Sequence, residues 1–116
     1  MAKITYRSFS KTLEEVTLQK TEKTIKTSKK TGSEYTVEYI SLLSVVAITA
    51  PEAHNGKYRY SIIDTKNDLE YTITAPNKVE AKFGTPLVFK SVRGGLMDKT
   101  VWFSAESVSI LQRNNG

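Results

Sequence analysis

The sequence predicts an all-β protein with one short helix: a five-stranded Greek-key barrel carrying an N-terminal β-hairpin extension. Three observations support that expectation. Apolar and polar residues alternate with period two along much of the 116-residue chain, as half-buried strands require. Clusters of Gly, Asn, Asp and Pro punctuate the alternation at short intervals. A single stretch of helical pattern falls between the third and fourth barrel strands, where a small barrel takes a plug at its end.

Taken in order, Glu14 to Thr21 alternates, with Val16 and Leu18 on one face and Thr17, Gln19 and Thr21 on the other, and reads as a strand. Lys23 to Ser33 is rich in Lys and Thr and closes on Thr31-Gly32-Ser33, the signature of an exposed hairpin loop. Glu34 to Thr49 is one long strand. It exceeds the usual length of about 5–6 residues, so a bend or bulge is expected near Leu42-Leu43-Ser44, where alternation breaks. Ala50 to Gly56 is a loop ending in the turn pair Asn55-Gly56, and Lys57 to Asp64 is the second barrel strand. Thr65 to Asp68 makes a four-residue hairpin connection to Leu69–Ala75, with Leu69, Tyr71 and Ile73 on one face.

Asn77 to Phe83 is the predicted helix. Asn77 can cap it, Glu80 follows three residues on as in a capping box, Val79 and Phe83 share a face, and Gly84 stops it. Pro86 to Val92 is the fourth strand, Arg93 to Lys99 a glycine-bearing loop, and Thr100 to Leu111 the last strand. Strand, strand, strand, helix, strand, strand is the order of an OB-fold barrel. The expected organisation is therefore the extension at 1–33, the barrel at 34–111 and a polar tail at 112–116.

Charge is unevenly placed. Residues 1–33 hold eight bases and three acids, so the whole net charge of +5 lies there, and the remaining nine bases and nine acids cancel. A basic segment on a neutral body suits a polyanionic partner. With no cysteine there is neither a disulfide framework nor a thiolate metal site. No apolar run approaches the roughly 20 residues that span a bilayer, and the first residues lack a secretory pattern. A cytoplasmic protein with no membrane association is expected. His54 is the one histidine, and neither a nucleophile elbow nor a glycine-rich phosphate loop is present, so no enzyme, cofactor or metal is expected.

Aromatic and basic residues are instead interleaved on strands, as single-strand binders require: flat rings for unpaired bases, cations for phosphates. Strand phase turns Trp102 outward and Phe103 inward, so Trp102 is the leading stacking candidate, joined by Tyr58, Tyr60 and Tyr71. Tyr71 shares the phase of Leu69 and Ile73, which also makes it a core candidate. Lys57, Arg59, Lys66, Lys90, Arg93, Lys99, Lys26, Lys29 and Lys30 are the candidate phosphate contacts.

Phe83-Gly84-Thr85-Pro86-Leu87-Val88-Phe89-Lys90 resembles the passage from helix into fourth strand of the bacterial single-stranded-DNA-binding protein family, and the likeness extends from Tyr58 to Leu111. The chain as a whole is most similar to the small members of that family from lactococcal bacteriophages. The resemblance implies sequence-independent protection of single-stranded DNA during phage-type replication or recombination. It also implies a homo-oligomer, dimer or tetramer, working beside a recombinase or replication protein. In that alignment Arg93–Trp102 becomes a shortened DNA-reaching loop. The family's acidic C-terminal tip has no counterpart in Gln112–Gly116. Two rival readings share the barrel: an RNA binder, and a non-catalytic assembly module of a phage or plasmid that contacts other proteins.

Overall fold

The computed structural model describes residues 2–3, 13–97 and 100–111. Its elements are β1 (Ala2–Lys3), α1 (Leu13–Thr17), β2 (Glu22–Thr27), β3 (Glu34–Ala47), β4 (Glu52–His54), β5 (Lys57–Asp64), β6 (Leu69–Ala75), β7 (Pro86–Met97), β8 (Thr100–Ser104) and β9 (Ser107–Ile110). Five strands close on themselves in the order β3, β5, β6, β8, β7 and back to β3. Every junction is antiparallel except β6–β8, a parallel contact at Thr74 and Ser104. This is the strand order of an OB barrel, as the alternation predicts. Among the described residues no helix is long and apolar enough to cross a membrane.

Inward alternation builds the core. Tyr60 and Ile62 on β5, Tyr71, Ile73 and Ala75 on β6, and Leu87, Phe89 and Val92 on β7 are buried around Leu43 and Val45 of β3. The expected break in the long strand is present. The buried phase of β3 passes from Ile40 to Leu43, leaving Ser41 and Leu42 outside. The partner strand shifts in step, from Phe89 to Val92, around Ser91 at φ 53°.

Several elements differ from expectation. Glu14–Thr21 is not a strand: Leu13–Thr17 forms α1, which buries Leu13 and Thr17, one turn apart. The Glu38 carboxylate accepts the Leu13 and Glu14 N–H groups at 3.0 and 3.2 Å, capping the helix from across the fold. Leu18, at φ 59° and donating its N–H to the Glu14 carbonyl, ends it exposed. The stretch read as an exposed loop from Lys23 holds β2, paired with Glu34–Tyr39 of β3. The extension is thus a hairpin whose second strand is the start of the barrel's first.

Asn77–Phe83, conversely, is not a helix. Asn77 spends its side chain on β9, donating Nδ2–H to the Val108 carbonyl at 2.7 Å and accepting the Val108 N–H at 3.0 Å. Tyr60 Oη donates to the Asn77 carbonyl at 2.7 Å and accepts the Val79 N–H at 3.0 Å. Tyr60 thus takes the Asn77 carbonyl, which would otherwise accept the first helical hydrogen bond, and meets the Val79 N–H, while Val79 and Ala81 pack on the core. This segment closes one barrel end. α1 lies toward the other, where Gln19 bonds Asp64 beside the β5–β6 turn.

The last strands differ as well. β7 runs through Gly94-Gly95 to Met97, where a loop is expected, and the final strand breaks at Ala105-Glu106 into β8 and β9. Each half pairs with a different half of β7.

The two buried phenols respond oppositely to removal of their hydroxyls. Tyr60→Phe orphans the Val79 N–H, so it costs about 1–3 kcal/mol. Tyr71 Oη is buried and has no hydrogen-bond partner among the described residues, so Tyr71→Phe is neutral or stabilises by about 1 kcal/mol. Burial raises both phenol pKa values above the ordinary tyrosine value. The folded state therefore holds these protons longer than the unfolded chain. Stability is intact below the ordinary tyrosine range and falls as pH rises through and beyond it. Urea midpoints at neutral pH and above about pH 10 test both statements; the alkaline loss shrinks in Tyr71→Phe.

Candidate nucleic-acid interface

Side chains that alternate out of the core meet on the outer face of β5, β6 and β8. Arg59 of β5 pairs with Thr74 of β6, Thr74 with Ser104 of β8, and Ser104 with Arg93 of β7. One row of registered positions thus crosses four strands with an arginine at each end. Trp102 stands one step of the pleat from Ser104 on the same face and is 38% exposed. Its ring lies against bare backbone. A Cβ built on Gly95, its partner on β7, would come 3.1 Å from indole Cζ2. Phe103 points inward and packs on Gly94 in the same way, where a Cβ would meet Cδ1 at 2.7 Å.

Beside Trp102 is an open groove of about 340 Å³ lined by Thr49, Glu52, Arg59, Thr72, Thr74 and the indole. The link between β3 and β5 forms its wall. There Asn55-Gly56, at φ 50° and 78°, makes a two-residue turn that folds β4 onto β5. The Arg59 guanidinium donates to His54 Nε2 at 3.2 Å, which holds it along this hairpin. A flat exposed ring, a cation and small hydroxyls around open space can stack a base and meet its phosphate.

A second groove, of about 310 Å³, lies on the other side of β8, between the β2–β3 hairpin and β7. Lys26, Tyr39, Arg93, Ser104 and Glu106 line it.

The structure divides the sequence-predicted residues. Trp102 and Arg59 come together in the first groove, Arg93 and Lys26 in the second. Tyr60 and Tyr71, at 0% and 6% exposure, are core residues and cannot stack bases. Their phase with Ile62 and Ile73 buries them, and Tyr60 is further fixed by the 77–79 segment. Tyr58 is half-buried in the same inward phase and packs against the core. Lys57 is exposed beside the Asn55-Gly56 turn, Lys66 at the β5–β6 turn, and Lys29 and Lys30 in the β2–β3 turn. These four line neither groove. Lys90 is exposed between Leu42 and Ser107 and also lines neither. Lys99 lies outside the described residues. Sequence reasoning missed Tyr39, half-buried in the second groove. Its signal was the tyrosine-rich opening of the long strand, read whole as barrel.

Comparison with protein-family models, curated proteins and solved structures gives no match to this chain.

The two glycines separate ring position from packing. Gly95→Ala pushes on an exposed indole, so it shifts Trp102 emission toward the red and leaves the urea midpoint close to wild type. Gly94→Ala presses on a buried phenyl ring with no room to move and costs about 1–3 kcal/mol. Fluorescence spectra and urea titrations of both variants check this.

Proposed function

We propose that this protein binds single-stranded DNA independently of sequence and catalyses no reaction. The exposed Trp102 ring carries the reading: it packs on Gly95 beside the open groove that holds Arg59. In OB barrels the second and third strands and the loops flanking them form the oligonucleotide face. Here β5, β6 and the β3–β5 link occupy that place. A base stacks on Trp102 and contributes roughly 1–3 kcal/mol, while Arg59 and nearby cations follow the phosphates. Such a surface reads no base edge, so it coats and protects whatever strand is exposed during replication or recombination of phage type. The resemblance from Gly84 to Lys90, the entry into the fourth barrel strand, supports the same reading and extends it to a homo-oligomer, while the helix that precedes this passage in the family is replaced here by the non-helical 77–83 segment.

Titration of Trp102 fluorescence with oligo-dT, duplex DNA and RNA of equal length, at two salt concentrations, tests it. Oligo-dT should bind more tightly than duplex and quench the emission. Trp102→Ala should lose roughly 1–3 kcal/mol of affinity and keep its fold. Equal affinity for duplex would reduce the interaction to charge attraction. Preference for RNA would move the reading to a ribose-recognising barrel. Binding to none of the three would favour the protein-contact module.

A further inference from the structure

We infer that the bound strand does not end at Trp102 but crosses β8 into the second groove, where Tyr39 supplies another ring and Lys26 and Arg93 hold further phosphates. This inference rests on the single-strand reading of the first groove.

The two grooves are neighbours on one surface. Thr74 lines the first, Ser104 the second, and the two residues are registered partners across the parallel junction. What separates the grooves is a ridge of small hydroxyl side chains, Thr74 and Ser104, with Trp102 standing beside it. Neighbouring strands lie about 4.8 Å apart, so the row from Arg59 to Arg93 spans roughly 14 Å. That is a distance a strand of a few nucleotides can bridge. The second groove repeats the chemistry of the first: a tyrosine ring, two cations and small polar side chains. Each groove also holds one acid, Glu52 in the first and Glu106 in the second. In the second the acid is outnumbered by Lys26 and Arg93.

The hairpin gives the path a direction. On β2, Thr24 and Lys26 share the face of Val37 and Tyr39 and line the groove, whereas Lys23 pairs with Glu38 on the opposite face. Only one of these two lysines, three residues apart, meets the proposed strand.

The test uses labelled oligo-dT of about 4 and about 12 nucleotides, within the range of site sizes seen for one OB barrel. Anisotropy titrations over a salt series compare wild type with Lys26→Gln, Lys26→Gln/Arg93→Gln, Tyr39→Leu, Lys23→Gln and Trp102→Ala. In the double variant the slope of log affinity against log salt should flatten for the long oligomer by about 0.7 for each phosphate lost. The short oligomer should be unaffected. Tyr39→Leu should weaken the long oligomer roughly tenfold, Lys23→Gln should change neither, and Trp102→Ala should weaken both. The surface charge variants report on the path even if Tyr39→Leu loses stability. Wild-type slopes in the double variant, with Trp102→Ala still defective, would overturn the crossing and leave the first groove standing. Equal effects of Lys23→Gln and Lys26→Gln would also overturn it, as undirected charge attraction. Failure of wild type to bind either oligomer would remove the single-strand reading and the crossing with it.

Discussion

The barrel is closed by one narrow contact. β6 and β8 meet in parallel at Thr74 and Ser104, and the Ala105 N–H donates to the Thr74 carbonyl at 2.8 Å. Every other junction of the barrel is antiparallel, four of them joining β3, β5, β6, β7 and β8 into an otherwise open sheet. This contact draws β8 alongside β6 and so sets Trp102 beside Thr72, Thr74 and Arg59. It also obliges the chain to turn at Ala105-Glu106. β8 follows the far half of the twelve-residue β7, and only after the break can β9 return to pair with the near half. The Glu106 N–H, bonded to the Lys90 carbonyl, anchors the turn. The position of the indole and the split of the last strand therefore have one cause.

Two glycines let the rings of β8 exist where they do. Glycine inside a strand costs conformational entropy and packs nothing of its own. At Gly94 and Gly95 that loss is offset by two aromatic rings laid directly on the backbone, Phe103 on the inner side and Trp102 on the outer. One pair of adjacent residues thus serves the core and the surface at once, the pleat alone deciding which ring goes where.

Much of this architecture was legible in the residues, wherever a local rule and the global fold agree. Period-two alternation placed β5, β6 and β7 and the opposite fates of Phe103 and Trp102. The Asn55-Gly56 pair and the four residues Thr65–Asp68 marked their turns, and the lapse of alternation at Leu42 marked the bend. The misreadings have a common physical origin in partners distant along the chain. Asn77 and Glu80 form a plausible helix start, yet Asn77 bonds Val108, thirty-one residues away, and Tyr60 takes the neighbouring backbone groups. α1 has only five residues, too few to show a period, and its cap comes from Glu38. Gly94-Gly95 reads as a loop until the rings that cover it are in view. Of the candidate site, Trp102 and Arg59 could be found from phase. Tyr39 was marked only by the tyrosine-rich opening of its strand, because its place in a groove depends on where the hairpin lies against β7.

Asn77 has one more consequence. Among the described residues β9 pairs with β7 alone, which leaves a strand margin that could recruit a strand from another molecule and propagate aggregation. Both Val108 backbone groups on that margin are already engaged by the carboxamide of Asn77. An incoming strand would have to displace the side chain and break two hydrogen bonds before it formed its own. The residue that closes the barrel's end therefore also blunts its exposed edge, a defence against edge-to-edge association built from a single amide.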